Sequence, residues 1–259
     1  LAPMHTWLPD AHSKAPSPVS ALLSGALLNI AFLAILRFKV LTDISAGLDF
    51  SREIMMFFGI VSLLVAGFII LVQKNYKRLM AYSSIEHMGI AALGIGFGGI
   101  GIFYTLLHLI YHSLAKSLLF FTAGNVFLKY STTKIAKVRG VLTSLPTTAL
   151  LLIIGFLAIT GVPPFGLFIT EFNILSSGIM AHPVYVVIAL FCLALAFAGF
   201  LRHISHMVFG EKPDEMEKGE ANIWTVIPPA TLAILLIILS FYLPAPLKTL
   251  LINAAGIIK

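Results

Sequence analysis

Charge is what this chain has least of. Asp, Glu, Lys and Arg make up 11% of its 259 residues, against about 25% in a soluble globular domain. That shortage excludes a soluble enzyme, a nucleic-acid-binding domain and a disordered tail. Cysteine is nearly absent. The one present, Cys192, sits inside an apolar run, which excludes a disulfide framework, a Cys-x-x-Cys metal site and an iron–sulfur cluster held by this chain alone. The start lacks a basic segment leading to a small-residue cleavage site, so no signal peptide is read. The chain opens on Leu1, and the expectation is that a longer protein or a split gene supplies what precedes it.

What fills the space is apolar: 59% of the residues are hydrophobic and the mean hydropathy is +0.99. A membrane-crossing helix needs about 20 such residues. Candidate spans are Val19–Leu36, Ile54–Gln73, Met80–Gly98, Gly101–Leu128, Pro183–Met207 and Trp224–Leu243. The stretch 145–180 is apolar throughout but interrupted at Gly161-Val162-Pro163-Pro164. As one broken span it places 11 of the 17 basic residues on one face of the membrane and five on the other; as two spans the division is ten against six. The positive-inside rule favours the first. The expected fold is an all-α polytopic bundle of about seven spans in a lipid bilayer, with the start of the chain cytoplasmic and its C-terminus outside. The polar segment 210–222 carries mixed charges and is expected to be a solvated connector.

Lys116 is then the only basic residue deep in a span. There it costs about 2.5–3.5 kcal/mol on insertion scales, and the twelve apolar-leaning residues before Lys129 make snorkelling difficult. His108, His112 and Lys116 recur every fourth residue, which puts them on one helix stripe about 12 Å long, with Tyr104 one turn before. Histidine titrates near neutral pH, so such a row suits a proton relay; the plainer alternative is a pair of interhelical hydrogen bonds. Two histidines on one face do not supply facing axial ligands for haem. Glu171, seven residues after Pro164, is the only acid deep in the broken span, and broken helices mark polar cavities and ion sites. Asn29 serves equally as a helix–helix hydrogen bond or as a link in a hydrated path. Glu86 and His87, near the start of the third span, form either a proton entry point or an interfacial pair. Gly94, Gly96, Gly98, Gly99 and Gly101 make a turn or a close packing; with no strand before them they are not a phosphate loop.

Four motifs in order carry a resemblance: Pro3-Met4-His5-Thr6-Trp7-Leu8-Pro9-Asp10-Ala11-His12 with Ala15-Pro16-Ser17-Pro18-Val19-Ser20-Ala21-Leu22-Leu23; Lys77-Arg78-Leu79-Met80-Ala81-Tyr82-Ser83-Ser84-Ile85; His108-x3-His112-x3-Lys116-Ser117-Leu118-Leu119-Phe120; and Gly161-Val162-Pro163-Pro164-Phe165-Gly166 with Glu171-Phe172. Together they resemble the antiporter-like, proton-translocating subunits of respiratory complex I, membrane-bound NiFe hydrogenases and formate hydrogenlyases, and multisubunit cation/proton antiporters. The hydrogenase branch is the nearer in pattern. The resemblance implies two inverted five-helix repeats, the first incomplete here and the second complete. It divides the chain into 1–41, a remnant of the first repeat; 54–208, the second repeat, broken at 161–164; and 222–259, a final span and tail. Where the family often has a lysine in Leu-Leu-Lys, this chain has Leu27-Leu28-Asn29.

The function so implied is movement of protons or sodium ions, driven by a peripheral redox module and other membrane subunits in the cell membrane of a prokaryote. The pathway residues would be Lys116, His108, His112, Glu171, Asn29, Glu86 and His87. Protons would run along His108, His112 and Lys116 and leave near Glu171. No cofactor and no metal are expected on this chain, which would itself carry out no redox chemistry within the larger oxidoreductase. The rival reading is a cation/proton antiporter subunit without a redox partner, or a scaffold. Nucleic acid is not an expected partner.

Overall fold

A computed structural model of the chain describes residues 1–211 and 216–258. Residues 212–215 of the expected connector, and the last residue, lie outside these. The described residues contain no strand beyond an isolated bridge between Asn75 and Lys134. The helices are α1 (Trp7–Lys14), α2 (Ser17–Leu22), α3 (Leu28–Ala46), α4 (Leu48–Val72), α5 (Tyr76–Phe97), α6 (Ile100–Tyr130), α7 (Val141–Ser144), α8 (Pro146–Ile159), α9 (Gly166–Gly178), α10 (Pro183–Phe209), α11 (Ile227–Phe241) and α12 (Ala245–Ile258). A π-type turn at Leu23–Leu27 joins α2 to α3 in a single rod, Ser17–Ala46. That rod, α4, α6, α10 and Ile223–Phe241 are long and apolar enough to cross a membrane. The chain is therefore an all-α, multi-pass membrane bundle.

The first span runs ten residues past the expected end at Leu36. It carries Arg37 and Lys39, which the charge count treats as loop residues. Lys39 is tolerated because its ammonium pairs with Asp43 one turn on, at 2.7 Å, and donates to the Ile258 carbonyl at the end of α12, at 3.1 Å. Helix α12 was not anticipated as a separate element; it packs on α6 and α3.

Helix α5 has too many polar groups to qualify as a span by hydropathy, yet it lies at the centre. Nearly every residue from Tyr76 to Gly96 is buried. Its neighbours are α4, α6, α1 and α9, and they keep Lys77, Arg78, Glu86 and His87 away from lipid. The contact with α4 is backbone against backbone: a Cβ on Gly89 would lie 2.8 Å from the Gly59 carbonyl oxygen, and one on Gly59 would lie 2.9 Å from that of Gly89. Small residues permit such an approach where the hydrophobic effect offers no drive between helices. Asn75 caps the start, its side-chain oxygen accepting from the Lys77 and Arg78 amides at 2.9 and 3.2 Å. At the other end Gly98 and Gly99, both with positive φ, turn the chain into α6. Gly94 and Gly101 instead pack closely against each other, so the glycine cluster is both a turn and a packing device.

The interrupted stretch is one span. Going down α6, Asn125 bonds Thr148, Leu119 lies on Gly155, Tyr111 on Gly166, and His108 bonds Thr170. Numbers rise on one side as they fall on the other, so α8 and α9 continue in one direction, antiparallel to α6. Pro163 and Pro164 lack the amides that would bond the Ile159 and Thr160 carbonyls, and the helix stops there. It restarts at Gly166, whose amide donates to the Ser240 hydroxyl of α11 at 2.8 Å.

The α4–α5 crossing yields a stability prediction. Gly89→Val should destabilise the fold by about 1–3 kcal/mol, the usual cost of overpacking, whereas Gly256→Ala, in open space, should be neutral. Unfolding of the detergent-solubilised protein followed by circular dichroism would measure both. Equal stability of the two variants would show that the crossing is not tight.

Candidate functional site

Helix α6 delivers His108, His112 and Lys116 on one stripe, as their spacing requires, and all three are fully buried. They do not form the row unaided. His87 of α5 inserts its ring between the two histidines, with centroids 5.1 Å from His108 and 5.3 Å from His112. The contact with His108 is a hydrogen bond, Nδ1 to Nε2, of 3.1 Å. At the far end the Lys116 ammonium donates to the Met80 carbonyl at 2.6 Å and bonds the Ser83 hydroxyl. Met80, Ser83 and His87 stand three and four residues apart on α5, so one face of that helix meets one face of α6. Glu86, one residue before His87 on α5, is also buried.

The hydrogen-bond geometry favours one set of tautomers. The Thr170 hydroxyl lies 2.9 Å from both the Leu167 carbonyl and His108 Nδ1; with its single proton given to the carbonyl, which can only accept, its oxygen accepts from His108 Nδ1. A neutral His108 then keeps a lone pair on Nε2, and His87 Nδ1 must donate to it. Both nitrogens of His112 and Nε2 of His87 make no protein hydrogen bond. Buried polar atoms of this kind are costly unless they exchange protons or meet water.

The break in the broken span brings the acid in. Glu171 is buried, with Oε1 3.5 Å from His87 Nδ1. Gly161, at φ +62°, lies against the carboxylate, and any side chain there would collide with it. The Ile159 carbonyl, left without its helical donor by Pro163, faces the His87 ring.

Several expectations are corrected. Glu86 and His87 are not at the membrane surface: they lie ten and eleven residues into α5, about 15 Å along its axis. Glu171 adjoins the histidine end of the row, not Lys116, because the antiparallel register sets Thr170 beside His108. Asn29 does not join the row. Its amide nitrogen reaches the Ser113 hydroxyl and the carbonyls of Leu109 and Gly25, at 3.3 and 3.4 Å for the latter two, tying two helices together, while its side-chain oxygen is buried without a protein partner. Tyr104 is half-buried among apolar neighbours. The residues missed are Ser83, Thr170 and His12. Ser83 stands in the second motif, and Thr170 directly precedes Glu171. His12 is buried, stacked on Phe120 at 4.7 Å, within electrostatic reach of both Lys77 and Lys116.

A family model described as NADH:quinone oxidoreductase/Mrp antiporter, transmembrane, matches residues 1–197. The chain is 38% identical over 99% of its length to a Hydrogenase-4 component F homolog of Methylacidiphilum infernorum, covering 50% of that protein. It is 32% identical over 99% of its length to NADH-quinone oxidoreductase subunit M of Pseudomonas aeruginosa, again covering 50%. It thus spans about half the length of these relatives. In three dimensions it matches, over 100% of its length and 53% of the other chain, a subunit of the membrane-bound sulfane sulfur reductase, an archaeal respiratory membrane complex, with TM-score 0.88 and 28% identity.

The tautomer assignment is open to solid-state NMR on 15N-histidine-labelled protein in bilayers. His108 should carry its proton on Nδ1. Thr170→Val should remove that preference and cost about 1–3 kcal/mol, the penalty of an unpaired buried donor. A native His108 protonated on Nε2 instead would contradict the assignment.

Proposed function

The chain belongs to the NADH:quinone oxidoreductase/Mrp antiporter membrane family, and from that premise we propose that it is a proton-translocating, antiporter-like subunit of a redox-driven membrane complex. The observation that carries this reading is the buried row Lys116, His112, His87, His108 and Glu171, built from α5, α6 and α9. A lysine, three imidazoles and a carboxylate gathered in one buried row can each take up and release a proton, as a relay requires. The row supports a route from Lys116 through His112 and the His87–His108 pair to Glu171, which reverses the order expected along α6. Lys116 would be the switching base, with Glu86 as its charge partner, and Glu171 the outlet. His12, near both Lys77 and Lys116, fits the supply side.

The basic residues that crowd one face of the bundle support a cytoplasmic start, an external C-terminus and a place in a prokaryotic cell membrane. Entry would then be cytoplasmic. Partners would be further membrane subunits and a peripheral redox module on other chains. The 38% identity to a hydrogenase-4 component F homolog, against 32% to a subunit M, supports the hydrogenase branch. The division into 1–41, 54–208 and 222–259 is retained as the repeat organisation.

The test is proton uptake by membrane vesicles bearing the assembled complex, followed with a pH-sensitive dye. Lys116→Ala, His87→Gln and Glu171→Gln should each slow uptake at least about tenfold, the effect of adding 1.4 kcal/mol to one step, with the complex still assembled. Normal uptake by assembled His87→Gln complexes would show that the route stays on α6 and bypasses α5. Normal uptake by all three would remove the relay altogether.

A further inference from the structure

We propose that His87, His108 and Glu171 form a binding site for a zinc-class transition-metal ion. Each side chain is buried and offers one ligand atom, and these atoms lie within 4.8 Å of one another. His87 Nδ1 stands 3.1 Å from His108 Nε2 and 3.5 Å from Glu171 Oε1. Zinc bound tetrahedrally at 2.0–2.1 Å separates its ligands by about 3.3–3.4 Å, and the two observed spacings bracket that edge. Two imidazoles and a carboxylate with a fourth position open are a zinc-type donor set. Magnesium and calcium, which take six or more oxygens, do not fit it.

The surroundings prepare the ligands. Thr170 accepts from His108 Nδ1, which orients the ring and leaves the Nε2 lone pair facing the site, as an outer-shell partner of a metal-bound histidine does. Glu171 Oε1 makes no hydrogen bond. The carboxylate borders a cavity of about 380 Å³ whose other walls include Gly161, Phe168, Phe172 and Leu190. On binding, the His87 Nδ1 proton moves to Nε2, any proton on Glu171 is released, and both lone pairs of the His87–His108 contact are occupied. The ion therefore blocks proton transfer between the rings. That consequence rests on the proposed relay; the site itself does not.

The experiment measures retention of 65Zn2+ by the purified, assembled complex after gel filtration, and in parallel the effect of zinc on proton uptake by vesicles. Wild-type complex should hold one more zinc ion per chain than His87→Gln or Glu171→Gln complexes, and zinc should inhibit its uptake. Thr170→Val keeps all three ligands and should bind about 10–100-fold more weakly; it decides the matter should the ligand variants fail to assemble. Equal retention by the wild type and these variants overturns the site. Zinc retained at the site without inhibition upholds the site and overturns the relay.

Discussion

A helix bearing Lys77, Arg78, Glu86 and His87 persists in a bilayer only when other helices enclose it, and the rest of this bundle is arranged to enclose α5. Lipid supplies no partner for such groups, so each needs a neighbour of the same protein. Helix α4 closes one side by bringing Gly59 against Gly89, backbone to backbone. Helix α6 closes another and α9 a third. At the exposed end, Asp10 of α1 pairs with Arg78 at 2.8 Å, and Lys77 donates to the Ala15 carbonyl at 3.0 Å. The outer helices α10 and α11 can then be almost wholly apolar, with exposed Leu190, Phe191, Ile234 and Ile238 facing the lipid.

The break between α8 and α9 follows from the same constraint. An uninterrupted helix over 146–178 would leave no carbonyl pointing at α5 and no room for a carboxylate. Two prolines free the Ile159 and Thr160 carbonyls, and Gly161 leaves the space that Glu171 occupies. The restart at Gly166 is held from outside the repeat: Ser240 of α11 accepts its amide and Tyr111 packs on it. Tyr111 in turn donates to the Leu239 carbonyl at 2.8 Å. Helix α11 thus fixes where α9 begins, and so where Glu171 sits along α6.

Much of this was legible in the residues themselves. Apolar run length located most of the spans, the prolines located the break, the balance of Lys and Arg favoured one broken span over two, and the four-residue spacing put His108, His112 and Lys116 on one face. What was not legible depends on which faces meet. Periodicity within α6 says nothing of a ring from α5, so His87 was left between a proton entry point and an interfacial pair. The position of Glu171 depends on an antiparallel register set by Asn125–Thr148 and His108–Thr170, contacts with no local signature. Lys39 looked like a loop residue because its partners are an acid one helical turn on, Asp43, and the end of α12, a distant segment. Asn29 was open between two roles, and its contact with Ser113 on the facing helix has no local signature.

The hydrogen-bond polarity of the row also separates its outlet from its stop. In the proposed relay, a proton arriving on His87 Nε2 releases the one on Nδ1 towards a neighbour. Two acceptors stand within reach: His108 Nε2 at 3.1 Å and Glu171 Oε1 at 3.5 Å. A proton passed to His108 can go on only through Nδ1, whose partner Thr170 already donates to the Leu167 carbonyl. A carbonyl in a helix does not carry a proton further, so that branch ends at Thr170 and returns its proton. Glu171 has no such dead end: Oε1 makes no hydrogen bond. In the proposed relay, forward transfer would therefore pass from His87 to Glu171, with His108 a reversible store beside the route and Thr170 the residue that keeps its lone pair turned towards His87.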